Sequence, residues 1–222
     1  HFFATSHPQY HADPLRLVGK YLAFLSHWTL VVVVVYLCAA ARITGATPPA
    51  PSAVTDALTA LHNVALPSSI AVVPLFWGVV FRPEYATMPK HPSQIFVHGV
   101  NAICMLLDFR LARRAWRFAD GTYVVYYGLC NLLFMLAYFV GSGCVDAPDV
   151  CDLDSLGHPY VYSVVDWRAP MQAALVSLLA IFIPVPLISL ALTVIWTRRG
   201  EAGPEPAYPF GYNHNGTVAL PS

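Results

Sequence analysis

The chain has 222 residues, of which 57% are hydrophobic and 11% charged, with a net charge of zero. A soluble domain carries about 25% charged residues, so this composition excludes an ordinary water-soluble fold, and apolar runs of bilayer length point to an integral membrane protein. The sequence has no basic block, phosphate loop or dinucleotide fingerprint, which argues against nucleic-acid partners and nucleotide cofactors.

Residues 1–20 read as an extended N-terminal segment. "HFFATSHPQYHADP" has neither the basic start nor the long apolar middle of a signal peptide. Because the chain starts at His1 rather than Met, a leader or an earlier helix is expected to have preceded it. Residues 21–197 form a transmembrane bundle of five predicted helices. The first is "YLAFLSHWTLVVVVVYLCAAA", Tyr21 to Ala41. Its valine run would suit a strand in water, but an isolated span in lipid must be helical to satisfy its backbone. "GATPPAPSAVTD" is a predicted loop, and the second helix runs from Leu61 to Phe81, with kinks expected at Pro67 and Pro74. The third starts near Ser93 and runs into "DFRLARRAWRF", whose basic and aromatic residues predict emergence into the headgroup layer. The fourth is Thr122 to Val140, and the fifth is Met171 to Thr197, interrupted by Pro184 and Pro186. Residues 198–222 form a Pro- and Gly-rich tail.

Arginines set the orientation. Arg42, the group Arg110, Arg113, Arg114 and Arg117, and Arg198 and Arg199 fall on one side of a five-span bundle. The positive-inside rule puts that side, and the C-terminus, in the cytoplasm or matrix. Cys38, Cys104 and Cys130 lie in spans and read as packing residues. Cys144 and Cys151 share one loop on the opposite side, where a disulfide is plausible. Four aspartates in that loop lack the spacing of a calcium loop, so no metal site is expected.

Polar groups inside a membrane are costly and each raises a functional question. His98, Asn101, Met105 and Asp108 fall at spacings of three and four, on one helix face. Such a face binds helices together or lines a lipid-sized cavity. Near the start of the first span, Ser26, His27 and Thr29 place hydroxyls beside a histidine, the parts of a nucleophile and a base.

Three blocks resemble the rolling stone family of multi-pass membrane proteins. "IFVHGVNAICMLLDF" is similar to its His-Gly-x-Asn…Asp segment, "YLAFLSHWTLVV" to its Tyr-Leu-Thr-Asn-Trp block, and "HPYVYSVVDWRAP" to the Tyr-x-Tyr…Asp-Trp-x-x-Pro block before its last helix. The resemblance implies a membrane role associated with cell fusion. A more distant resemblance, to the androgen-induced-gene family of intramembrane lipid-ester hydrolases, implies a nucleophile at Ser26 and a histidine at the position of Asn101. Asparagine does not titrate near neutral pH and is no general base. A hydrolase here would use Ser26 with His98 or His27.

The expected function is therefore a non-catalytic accessory subunit of a larger membrane complex, with a mitochondrial inner-membrane respiratory assembly the first choice. The tail aromatics Tyr208, Phe210 and Tyr212 are the expected partner anchors. The alternatives are an intramembrane hydrolase of fatty-acyl esters and a lipid-binding membrane protein. Bound lipids, rather than a cofactor, are the expected ligands.

Overall fold

A computed structural model describes residues 18, 21–44, 51–81, 95–112, 116–141, 162 and 164–200. These residues form an all-α membrane bundle. Helix α1 is Leu25–Thr44. Helix α2 is Ser52–Leu75 and continues through a π-helical turn, Phe76–Val80. A second π turn, Phe96–Val100, leads into α3, Asn101–Ala112. A 3₁₀ turn, Phe118–Gly121, leads into α4, Thr122–Gly141. The last rod is two helices, α5 (Pro170–Phe182) and α6 (Pro184–Gly200).

Four of these rods are long and apolar enough to cross a bilayer: Leu25–Thr44, Ser52–Val80, Phe118–Gly141 and Pro170–Arg198. The described part of the third rod, residues 95–112, covers about 27 Å at 1.5 Å per residue, close to a hydrocarbon core of about 30 Å. It also carries Asp108 and Arg110.

Helix α2 is the centre of the bundle and touches α1, α3, α4 and α6. Its residues His62, Asn63, Ala65, Leu66, Pro67, Ser68, Ser69, Ala71 and Val72 are buried around the whole circumference, as a helix enclosed by others must be. It starts nine residues earlier than its apolar pattern predicts. Pro51 caps it, and the Thr55 and Thr59 hydroxyls donate back to the carbonyls four residues before, so the polar Thr/Ser stretch closes into helix. Pro67 sits within the helix, flanked by Ser68 and Ser69, whose hydroxyls donate to the carbonyls of Val64 (2.6 Å) and Leu66 (2.8 Å). Pro74 lacks the N–H that would bond Ile70, and the ladder widens into the π turn two residues later.

The last rod breaks at Ile183. Pro184 and Pro186 then fall in the first turn of α6, where a missing N–H costs nothing. Two further expectations need correction. Trp116 is not an exposed interfacial aromatic: it is 1% exposed and packs in the core with Tyr36, Leu66, Met105 and Phe109. Cys38 and Cys130 are exposed on the outer face, so they are not packing residues. Cys144, Cys151, Tyr208, Phe210 and Tyr212 lie outside the described residues.

Candidate functional site: a polar-floored cavity and a buried acid cluster

The polar residues of the third rod separate into two groups at different levels of the bundle. Near its start, His98 is buried and its ring stacks on Phe76, with centroids 3.5 Å apart. Near its end, Asp108 reaches across to α1 and α2. Between them, the Asn101 side chain donates to the Val97 carbonyl of its own rod at 3.0 Å, which spends it on local structure.

His98 opens on a cavity of about 120 Å³. The wall comes from the start of α1, the end of α2, the middles of α4 and α5, and the segment before α5. Most of that wall is apolar, with Val72, Leu75, Phe76, Met135 and Val176 among its residues. Its polar members are Ser26, His98, Asn131, Tyr162 and Ser177. Ser26 and His98, far apart in sequence, thus share one cavity. Sequence reasoning did not single out Asn131, Ser177 or Tyr162 as site residues. Asn131 follows Val124 and Gly128 on the buried face of α4, and a lone asparagine in an apolar span was the available signal.

Tyr162 explains why α1 begins where it does. Its phenol oxygen accepts the Leu25 N–H at 2.8 Å, satisfying one of the orphan donors at the helix start. The backbone and hydroxyl of Ser26 also bond this phenol. Burial pushes the phenol up to about 12, against the opposing effect of those hydrogen bonds, so it keeps its proton throughout the neutral range. The segment is held by its neighbours. Asp166 accepts from the Arg168 backbone at 3.0 Å and from its guanidinium at 2.6 Å, and the Arg168 hydrogen bond is what holds the Asp166 carboxyl below its ordinary range. Trp167 packs into the core with Phe139 and Ala173. Residues 164–169 of this block thus lie beside Tyr162, which meets the start of α1.

His27 is turned to other work. Its Nδ1 lies 2.7 Å from the Tyr21 carbonyl and its ring stacks on Tyr21 with centroids 3.8 Å apart. Thr29 donates to the Leu25 carbonyl at 3.0 Å and lies 3.3 Å from the Tyr127 hydroxyl.

The second group lies in the other half of the bundle. The Tyr36 hydroxyl donates to Asp108 Oδ2 at 2.7 Å, and His62 Nε2 lies 3.8 Å from the same oxygen. Rings of Tyr36, Phe109 and Trp116 surround His62 at centroid distances of 5.4, 6.4 and 6.3 Å. This cluster ties α1, α2 and α3 together around one carboxylate. Among the described residues no three His, Cys, Asp or Glu side chains meet in a way that could hold a metal ion.

Comparison with known proteins gives a consistent picture. The family model described as "Protein rolling stone" matches residues 52–197, which includes the "IFVHGVNAICMLLDF" and "HPYVYSVVDWRAP" blocks and starts after the Ser26 block. The curated Protein rolling stone of Drosophila melanogaster is 25% identical over 123 residues, 55% of this chain and 41% of the fly protein. The chain therefore spans under half the length of that relative. No solved structure matches. With the family model covering well over half of its length, the chain belongs to the rolling stone family, as a helical integral membrane protein.

Proposed function

We propose that this rolling stone family member is a lipid-binding membrane protein, in which the cavity takes the head and first carbons of a lipid from the surrounding bilayer. The observation that supports this is the wall chemistry: an apolar cavity with hydroxyl, amide and imidazole groups gathered from five separate parts of the chain. Ligand sites have this make-up, mostly apolar with a few convergent polar groups. The size limits the ligand. An apolar cavity of about 150 Å³ holds a benzene, so about 120 Å³ takes fewer heavy atoms than that, one small polar group and the two or three carbons beside it, while the rest of the lipid stays between helix and bilayer.

The test is lipid retention by native mass spectrometry of the detergent-purified chain, wild type against Val176→Trp and the milder Ala180→Leu, both in the cavity wall. Wild type should keep a lipid adduct that both variants lose. Equal retention by all three would sink the proposal.

Two other readings share a second test. An accessory subunit of a mitochondrial or other organelle-membrane complex draws on the terminal segments with Tyr208, Phe210 and Tyr212, and on the arginine-rich C-terminal side. Ester hydrolysis draws on Ser26 and His98 sharing the cavity, although the Ser26 hydroxyl is bonded to Tyr162 and would have to turn to a histidine. Mild extraction and a native gel separate them. Stable co-migration with a large assembly supports the subunit, and Ser26-dependent hydrolysis of a long-chain acyl ester by the isolated chain supports the hydrolase.

A further inference from the structure

The polar groups on the cavity wall also bear on what kind of head group it accepts. The argument rests on the lipid-binding reading above. Asn131 is 2% exposed and Ser177 is 6% exposed, on facing helices α4 and α5. The Asn131 amide nitrogen and the Ser177 hydroxyl are buried without a hydrogen-bond partner among the described residues. Buried polar groups are nearly always paired, so two neighbouring exceptions on one cavity point to a missing partner. Among the described lining residues there is no Lys, Arg, Asp or Glu. A charged head would enter this apolar space with no counter-ion, which is strongly unfavourable. A neutral head with an acceptor oxygen meets no such penalty and supplies what the two donors lack.

We infer that the cavity selects lipids with an uncharged, oxygen-bearing head, such as the ester carbonyl and hydroxyls of a monoacylglycerol, over lipids with an anionic head. Asn131 and Ser177 are the selecting residues. They recognise the acceptor oxygen, while the absence of a cation rejects the phosphate or carboxylate. The apolar residues fix only the position of the first carbons, so chain length beyond them should matter little.

The experiment uses the full chain in phosphatidylcholine nanodiscs and a monoacylglycerol carrying a diazirine on a carbon close to its ester. Photolabelled peptides are mapped by mass spectrometry, with unlabelled monoacylglycerol or lysophosphatidate of the same acyl chain as competitor. Label is expected on the cavity-lining stretches 72–80 and 176–181. Monoacylglycerol should compete at a concentration about tenfold lower than lysophosphatidate, the size of effect that one unfavourable charge burial readily produces. Asn131→Leu should weaken competition by monoacylglycerol severalfold, while lysophosphatidate stays excluded for want of a cation. Ser177→Ala, a change small enough to fold, should narrow the preference while leaving the label in place. Competition by lysophosphatidate within twofold of monoacylglycerol would overturn the head-group inference and leave the cavity as a lipid site. Label confined to outward-facing residues such as Leu133 and Leu187 would overturn both.

Discussion

Replacing Asp108 by leucine should destabilise the bundle by about 1–3 kcal/mol, because it removes the acceptor of the buried Tyr36 hydroxyl. Tyr36 is 0% and His62 1% exposed, and both meet the same carboxylate oxygen. The magnitude is a contest between two effects. Hydrogen bonds between membrane helices are worth only about 0.6 kcal/mol on average, since the separated helices find other partners. Removing the acceptor of a buried hydroxyl costs more, about 1–3 kcal/mol, because the remaining donor is stranded. Here the aromatic rings of Phe109 and Trp116 wall in the His62 side chain, which favours the second effect. The 3.8 Å His62 separation is long for a hydrogen bond, so the Tyr36 bond at 2.7 Å carries the larger share. Asp108→Asn keeps an acceptor for Tyr36 and should lose only about 1 kcal/mol. Tyr36→Phe combined with Asp108→Leu should be less costly than the two single losses added, since the phenylalanine strands no hydroxyl. Reversible unfolding in mixed micelles measures all five proteins, wild type and Tyr36→Phe alone included. A loss below about 0.5 kcal/mol for Asp108→Leu would place the cluster with ordinary interhelical contacts.

The helices themselves were legible in the sequence because lipid leaves a long apolar segment no other fold. Helix α4 begins at the predicted Thr122 and ends one residue past the predicted Val140. The break near Pro184 was legible for a local reason, the missing proline N–H. The early start of α2 was not. Residues 52–60 look like a loop by composition, and only the threonine back-bonds show how they close into helix. The one-face spacing of His98, Asn101 and Asp108 was also legible, but not that the face splits into a cavity wall and an acid cluster. That division depends on which neighbour each turn meets. Tyr36, the partner of Asp108, is hidden at the end of a valine run that carries no signal of polarity. Trp116 misled for a related reason. Its arginine-rich neighbourhood suggests an exposed surface, yet the ring is 1% exposed and packs in the core. The cavity was least legible, because its polar members come from five places in the chain and none forms a motif with its neighbours.

The 3₁₀ turn before α4 meets α6 closely at Gly121, and Gly121→Ala should open that contact at a cost of about 1–3 kcal/mol, the range for overpacking a filled core. A Cβ at Gly121 would fall onto the Ser189 Oγ and stand 3.1 Å from the Ser189 Cβ. The hydroxyl can rotate away, but the Ser189 Cβ is fixed by its backbone, so one element must move from the other. Gly128 provides the comparison. A Cβ there meets Ile181 Cγ1 at 3.0 Å and Cδ1 at 3.1 Å, atoms of a flexible side chain that also lines the cavity. Ile181 can shift into that space, so Gly128→Ala should lose less than about 1 kcal/mol. Ser189→Gly combined with Gly121→Ala removes both clashing atoms and should recover most of the lost stability, apart from the penalty of about 1 kcal/mol for a glycine within α6. Ser189→Ala alone should be close to neutral. It deletes a buried hydroxyl, in a residue 1% exposed, that has no hydrogen-bond partner among the described residues, while keeping the Cβ. Thermal melts of the five purified proteins in one detergent decide the matter. If Gly121→Ala melts with Gly128→Ala, the two elements are not held at the contact distance that the glycine permits, and α6 has room to move against α4.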